Sequence, residues 1–300
     1  MYGPSRNADW IGSVRSDVRW YLKKGARHGV AIASWALGGT DKGAAPAGPR
    51  VRVLTYHRFG DSAKDPFCVT QRDFDAQMRY LAETGRAIGL ADLDAMLAGE
   101  RMPRDGSVVV TIDDGFRSTR TVAQPVLSHY GIAAVSYVTA GLIEAGDVAS
   151  TLGDCIPEPY MTWREIEEFA AAGGSVGSHA FTHRSLGRMS PDEATEQAAR
   201  SRERLQERLG RSITSFAYPF GTRADYSAAT ALALRRCGYT TGFTSQHGAV
   251  TRTSDALELP RVKVEGGEGM TMFRLLVSGG LDNWRLIDRA LWKLQAAERG

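Results

Sequence analysis

The chain has 300 residues, of which 43% are hydrophobic and 24% are charged, and its formal net charge is only +3. This length and composition suit one large globular domain or two small ones, and the small net charge gives no reason to expect nucleic acid as a partner. The three cysteines are far apart and form no CxxC pair, which argues against a disulfide framework and against a cysteine-based metal site.

The N-terminal part of the chain contains its most apolar stretch, residues 29–39 (GVAIASWALGG). No run in the sequence approaches the ~20 apolar residues needed to span a membrane. The stretch resembles a signal peptide only loosely, because it is short, contains Ser and Gly and begins late in the chain. We therefore predict an amphipathic or buried helix, with a signal peptide as the alternative, and expect a cytoplasmic or membrane-peripheral protein rather than a secreted one.

A predicted linker at residues 40–50, rich in Gly, Ala and Pro, is followed by about seven alternating strand-like and helix-like segments. The predicted strands are 51–57, 107–112, 133–140, 175–179 and 213–219, with further strand-like segments at 242–245 and 259–264. The predicted helices are 70–85, 119–131, 162–174, 190–210, 226–238 and a terminal amphipathic helix at 281–300. This alternation predicts an α/β sheet or barrel of parallel strands with helices outside, in which chemistry occurs at the carboxyl ends of the strands.

Two adjacent carboxylates, Asp113 and Asp114, follow the apolar strand 107–112 and precede Gly115. One interpretation is a simple turn, since Asp-Gly is a strong turn signal. The other is that one acid binds a metal while its neighbour moves a proton.

Two histidines, His179 and His183, lie four residues apart directly after another predicted strand. A pair of surface or capping histidines is one interpretation. Two imidazoles and one carboxylate would instead supply three protein ligands for Zn²⁺ or a similar ion and leave a position for water. The histidine elsewhere in a polar loop, His247, is predicted to be solvated.

Three segments, TIDDG (111–115), HAFTH (179–183) and AYPFG (217–221), occur in this order. They resemble the first three motifs of the polysaccharide deacetylase family, whose shared region is the NodB homology domain of carbohydrate esterase family four. The resemblance runs from about Val51 to Val264 and implies a distorted (β/α)7 barrel. It divides the chain into an N-terminal extension and linker (1–50), the deacetylase domain (51–270) and a helical tail (271–300).

By this resemblance, Asp113 is the general base, and Asp114, His179 and His183 bind one divalent metal ion. We favour Zn²⁺, with Co²⁺, Ni²⁺ or Fe²⁺ as alternatives. The groove wall and a backbone N–H for the oxyanion are assigned to one tetrapeptide: Tyr218, Pro219, Phe220 and Gly221.

The sequence departs from the family pattern at two positions. Ala217 stands where many members have an arginine that orients the base, and Arg261 stands where many have a late histidine acid. We therefore assign Arg261 as the substitute partner of Asp113. His57, at the end of the first predicted strand, is our candidate for the general acid, and a structural role for His57 is the alternative.

These features resemble the branch of the family that acts on exopolysaccharides such as poly-N-acetylglucosamine. They predict a metal-dependent hydrolase that releases acetate from an N-acetylated polysaccharide or oligosaccharide. An O-acetyl glycan esterase and a catalytically silent glycan-binding barrel are the alternatives. A binding protein would not need a spare carboxylate beside a metal, so the intact Asp-Asp-His-His set favours an enzyme. The expected partner is an acetylated glycan, and peripheral contact with a membrane or with polysaccharide-synthesis machinery is a second expectation.

Overall fold

The computed structural model describes residues 6–36, 48–61, 65–146 and 158–288. Most of the predicted linker and the tail beyond residue 288 lie outside these residues. The strands are β1 (Val51–Tyr56), β2 (Arg58–Phe59), β3 (Cys68–Val69), β4 (Ser107–Ile112), β5 (Ala134–Val138), β6 (Ser175–Ser178), β7 (Ser215–Ala217), β8 (Thr241–Phe243) and β9 (Val262–Lys263). The α-helices are α1 (Arg6–Ala36), α2 (Gln71–Glu83), α3 (Leu90–Ala98), α4 (Gln124–Tyr130), α5 (Ala140–Ala145), α6 (Trp163–Ala171), α7 (Pro191–Leu209), α8 (Ala228–Arg236) and α9 (Gly269–Val277).

Seven of the strands form one parallel sheet in the order β8-β7-β6-β5-β4-β1-β9. Strands β1 and β4 pair in register from Val51 opposite Ser107 to Tyr56 opposite Ile112, so these two strands end at the same level. Most of the helices lie outside the curved sheet, whereas α3 packs against its inner face. The predicted fold class, a distorted barrel of seven parallel strands with outer helices, is confirmed.

The barrel is closed by the segment that leads into β9. Leu259 exchanges backbone hydrogen bonds with Gly242 and Thr244, at 2.8 and 2.9 Å, and so adds to the edge strand β8. A few residues later the same segment pairs with β1 through β9. One stretch of chain therefore joins the two edges of the sheet, and Arg261 lies between the two attachment points.

Successive residues of the strands belong to two separate hydrophobic cores. Val53, Val109 and Tyr137 face the barrel interior, where Leu93 and Met96 of α3 pack with them. The alternate residues face the outer helices and form the larger core, which includes Leu54, Val110, Ile112, Phe74 and Met78. Successive side chains of a strand point to opposite faces, so a sheet that is covered on both faces divides its residues between two cores.

Capping residues begin several helices where the sequence predicted them. The side chains of Thr70, Thr162 and Ser190 each accept a hydrogen bond from the third residue of the helix that follows. At α6 and α7, a glutamate at that third position bonds back to the capping residue, which completes a capping box. The predicted helix at 119–131 differs in one respect: its first turn, Thr119–Ala123, is a π-helix.

The N-terminal helix α1 is attached to the barrel by buried ion pairs. The Lys24 ammonium lies 2.7 Å from Glu265 Oε2, and Arg27 Nε lies 2.7 Å from Glu268 Oε1. Ala31 of α1 is part of the outer core. Residues 29–36 are thus helical and one side of them is buried, while residues 37–39 lie outside the described residues. No helix in the described ranges is long and apolar enough to cross a bilayer.

The prediction for His247 is wrong. Its side chain is only 9% exposed, and Nδ1 lies 2.9 Å from Asp288 Oδ2, which also accepts the His247 backbone N–H. Residues 284–288 are helical, so this contact fixes the start of the predicted C-terminal helix against the loop after β8.

Asp94 of α3 provides a test of how the fold responds to pH. One of its carboxylate oxygens is buried without a hydrogen-bond partner among the described residues, and burial raises the pKa of Asp94 to about 6. Since the folded pKa exceeds the unfolded one, the ionised form destabilises the fold above that value, and the penalty disappears as the pH falls towards the unfolded pKa. Asp94→Asn should therefore stabilise the protein at pH 8 by about 1 kcal/mol, a figure discounted for solvent access.

Thermal melts at pH 8 and pH 5 would measure this effect, and we expect the advantage to shrink at pH 5. Glu203→Gln, on the exposed face of α7, is the matched control and should change little at either pH. A gain from Asp94→Asn that is equal at both pH values would show that the charge of Asp94 is not the cause.

Candidate active site

The predicted site residues meet at the carboxyl ends of the parallel strands. His57 directly follows β1, Asp113 and Asp114 follow β4, and His179 follows β6. The backbone N–H of Asp113 donates to the Tyr56 carbonyl at 2.9 Å, so the ends of β1 and β4 are joined at this level. The topology alone thus gathers segments that lie far apart in the sequence.

Asp114, His179 and His183 form a cluster that could hold a metal ion. The Nε2 atoms of His179 and His183 lie 3.3 and 3.2 Å from the same oxygen, Asp114 Oδ1. One ligand atom from each residue lies within 4.8 Å of the others. Asp114 Oδ1 is buried and has no hydrogen-bond partner, so a buried acceptor and two imidazoles converge without bonding one another. This donor set fits a divalent cation such as Zn²⁺.

A neighbouring carbonyl sets the tautomer of His179. His179 Nδ1 lies 2.8 Å from the Ala217 carbonyl oxygen at the end of β7. A carbonyl can only accept, so Nδ1 carries the proton and Nε2 presents its lone pair towards Asp114 and His183. This is the arrangement in which metal-binding histidines are commonly held.

The backbone at the cluster is unusual. Among the described residues, the non-glycine positions with positive φ are Asp114 (72°), Ala180 (60°), His183 (52°) and Phe220 (61°). All four belong to the three motif segments, and two of them are members of the metal-ligand cluster. Such conformations cost about 1 kcal/mol or more each, so packing and hydrogen bonds around the site must hold them in place.

Arg261 and Asp113 form a bidentate ion pair. Arg261 donates from its two terminal nitrogens to the two oxygens of Asp113, both at 2.7 Å. Arg261 Nε donates to the Thr244 carbonyl at 2.9 Å, which fixes the plane of the guanidinium. Burial raises the pKa of Asp113, but the Arg261 charge outweighs burial, and the pKa lies below its usual value. Asp113 is therefore ionised at neutral pH and firmly oriented.

Tyr137 supports this pair from inside the barrel. The Arg261 guanidinium lies over the Tyr137 ring at 5.8 Å, and the Tyr137 hydroxyl is 2.6 Å from Ser215 Oγ. The ring needs Gly177 as its neighbour, because a Cβ there would fall 2.3 Å from a ring carbon. The interior below the site is therefore filled, which keeps the ion pair away from solvent.

His57 lies at the same end of the barrel, next to an aromatic ring. Its ring makes an edge contact with Phe67 at 4.9 Å, and the Lys263 ammonium lies 3.5 Å from the centre of the Phe67 ring. Nδ1 of His57 is buried without a hydrogen-bond partner. Burial lowers the pKa of His57 to about 4, although Asp114 and Asp113 oppose this shift. His57 is therefore neutral at pH 7 in this state of the protein.

The tetrapeptide 218–221 forms a tight turn beside His183. The Tyr218 hydroxyl donates to the Leu257 carbonyl at 3.0 Å, and the Tyr218 N–H donates to Phe243. Phe220 is the exposed member, and its ring contacts the His183 ring at 4.9 Å. Gly221 is required here: its φ is +63°, and a Cβ would lie 2.6 Å from the Ser245 nitrogen.

Sequence reasoning missed Phe67 as a site residue. Phe67 and Phe220 are both partly exposed aromatic rings, and each contacts a histidine of the site. Phe67 lies in a short irregular segment before β3, where no periodicity or spacing marks it, so only its contact with His57 identifies it.

The chain is similar to known proteins in sequence and in fold. Residues 100–242 match the family model of polysaccharide deacetylase. The protein YxkH of Bacillus subtilis (strain 168), which bears the name of a polysaccharide deacetylase, is 26% identical over 225 residues, 75% of each chain. The structure of IcaB from Ammonifex degensii is 27% identical, with a TM-score of 0.63 over 78% of this chain and 97% of that one.

A further solved structure shares the fold. The Streptococcus pyogenes deacetylase PplD, in complex with acetate, has a TM-score of 0.67 over 78% of this chain and 99% of that one, at 23% identity. The seven-stranded parallel barrel is thus of the NodB homology type. Residues 100–242 of the chain are thus similar to polysaccharide deacetylases, and about three quarters of the chain is similar to the proteins named above.

A first test of the site concerns the metal. His183→Ala removes one of three converging donors, so tight binding of one divalent ion per chain should be lost. Metal analysis after chelation and reloading measures this, and His129→Ala, on the exposed face of α4, should retain the ion. A full complement of metal in the double variant His179→Ala/His183→Ala would place the metal site elsewhere.

Proposed function

We propose that the protein is a metal-dependent N-deacetylase that hydrolyses the acetamide of an N-acetylated glycan and releases acetate. The observation that carries this proposal is the buried carboxylate of Asp113, locked by Arg261 beside the converging donors of Asp114, His179 and His183. A metal site used only for structure would have no use for a second, separately oriented carboxylate at its edge.

The chemistry divides between the cluster and its neighbours. A divalent cation held by Asp114, His179 and His183 would lower the pKa of bound water to about 7 and polarise the acetyl carbonyl. Asp113 has two oxygens and about four lone-pair sites, so it can hold Arg261 with one from each oxygen and accept a proton from the attacking water with another. The guanidinium cannot itself accept that proton, so Arg261 acts as a positioning residue.

Departure of the amine requires a proton on its nitrogen, and we assign this delivery to His57. In the resting site His57 is neutral, since burial lowers its pKa to about 4. It must therefore take up a proton before it donates one, and its unbonded Nδ1 is an available position. Asp113, which gains a proton from water in the same reaction, is the alternative carrier.

Two aromatic rings flank the site in a manner suited to a sugar. Phe67 borders His57 and Phe220 borders His183. The apolar face of a pyranose ring can pack on such exposed rings while its polar groups remain solvated. On the motif resemblance, we place the substrate among N-acetylated exopolysaccharides such as poly-N-acetylglucosamine, and we favour Zn²⁺ as the ion.

Acetate release tests the proposal directly. The metal-loaded enzyme should release acetate from N-acetylglucosamine oligomers, and Asp113→Asn should retain the metal but lose about 10²–10⁴-fold in turnover, as for the loss of a general base. Faster release from acetylated xylan would favour the O-acetyl esterase. No acetate from any glycan, with the metal fully bound, would favour the silent binding barrel.

The role of His57 can be separated from a structural one by changing the leaving group. His57→Ala should reduce hydrolysis of the acetamide severely, because an amide nitrogen leaves only when protonated. An aryl acetate has a leaving group that needs little protonation, so its hydrolysis should fall much less. Equal losses on both substrates would mean that His57 shapes the site, or that Asp113 carries the proton.

A further inference from the structure

The described part of α1 buries charged and polar side chains and exposes large apolar ones, which is the reverse of a typical surface helix. Lys24, Arg27 and Ser34 are buried, at 6%, 3% and 5% exposure. The large apolar side chains point outward instead, with Leu22 68% and Trp35 61% exposed. A surface helix normally buries its apolar stripe and exposes its charges.

The inversion is held by specific partners rather than by chance packing. Lys24 and Arg27 pair with Glu265 and Glu268, and Asn283 donates to Ser34 Oγ at 2.9 Å. These contacts fix the rotation of the helix about its axis. The side opposite Lys24, Arg27 and Ser34 therefore faces outward. That side carries the exposed large residues Tyr21, Leu22, Ile32 and Trp35, which we call the outer face of α1.

No charged residue is found among the exposed residues from 21 to 36 for which a side chain is described. Burying an apolar face of this kind is favourable, and a cluster of large exposed apolar residues marks a contact surface. Tyr21 and Trp35 lie at the two ends of the face, 14 positions apart, which corresponds to about 21 Å along a helix. Tyrosine and tryptophan are the residues enriched where a protein meets the headgroup region of a bilayer.

The charges around this helix select an anionic surface. Lys24 and Arg27 are already paired with Glu265 and Glu268. Between residues 18 and 40 the sequence has two further basic residues, Arg19 and Lys23, and no acidic one. The segment after Asn283, which donates to Ser34, also presents a basic and an apolar residue, since Arg285 and Leu286 are both exposed there. Basic residues beside an apolar helix face are the features by which amphipathic helices bind anionic lipid.

We infer that the outer face of α1 lies on an anionic lipid surface and attaches the protein to it peripherally. The attachment is rigid with respect to the candidate active site. Arg27, whose side chain pairs with Glu268, also donates to the Lys263 carbonyl at 3.0 Å, and Lys263 contacts Phe67 beside His57. The lipid-facing helix therefore sets the direction in which the open end of the barrel points.

Flotation of the full-length protein with vesicles tests this inference. Vesicles of phosphatidylcholine mixed with phosphatidylglycerol should carry the protein, and phosphatidylcholine alone should carry less. The double variant Ile32→Glu/Trp35→Glu should bind at least tenfold more weakly. Leu232→Glu is the matched control, because Leu232 is a similarly exposed apolar residue, at 48%, on a different helix, and it should bind like the unmodified protein.

A second measurement does not depend on the charged variants folding. Brominated lipids should quench part of the tryptophan fluorescence, and Trp35→Phe should remove that part. Failure of the unmodified protein to bind either vesicle, or equal loss in Leu232→Glu, would overturn the inference. So would light scattering that shows a dimer in solution which Ile32→Glu/Trp35→Glu converts to a monomer, because the face would then bind a second copy.

Discussion

A single buried ion pair, between Arg261 and Asp113, both holds the segment that joins the edges of the barrel and orients a carboxylate of the candidate active site. The two residues are 148 positions apart, one directly after strand β4 and the other on the segment that joins the edges of the sheet. An unpaired charge in this position would be costly, since breaking a buried pair typically costs 3–5 kcal/mol. The barrel can therefore close favourably only with the guanidinium on Asp113, and closing it orients the carboxylate. The same interaction therefore closes the barrel and orients the Asp113 carboxylate.

Much of this could be predicted because the signals are local. The strands of the barrel are short apolar runs, and helices such as α6 and α7 begin at capping boxes whose members are three residues apart. Asp114, His179 and His183 could be grouped because parallel strands place their carboxyl ends together, and this rule needs no side-chain geometry. Arg261 could be predicted as the partner of Asp113 because position 217 has alanine in place of the expected arginine. The structure brings the side chains of Arg261 and Asp113 together.

The remaining features depend on contacts that no spacing reveals. Helix α3 begins at Gly89 rather than at Ser or Thr, and its position follows from the barrel interior that it fills. His247 has the neighbours of a loop residue in the sequence, but its partner, Asp288, is 41 positions away. The outward side of α1 could not be chosen from the sequence, because its charged residues suggest solvent until Glu265 and Glu268 are seen opposite them. In each case a distant residue reverses the local preference.

The attachment of α1 also imposes an order on folding. Lys24 and Glu265 are separated by 241 residues, so during synthesis the helix emerges long before its acidic partners exist. A helix without tertiary packing is only marginally stable in water, and bringing together two ends of so long a segment costs entropy that must be recovered elsewhere. Docking of α1 can therefore follow only after β9 has been added and the loop behind it has formed. Helix α1 is translated before the barrel but is among the last elements to be placed, and its docking marks the completion of the barrel.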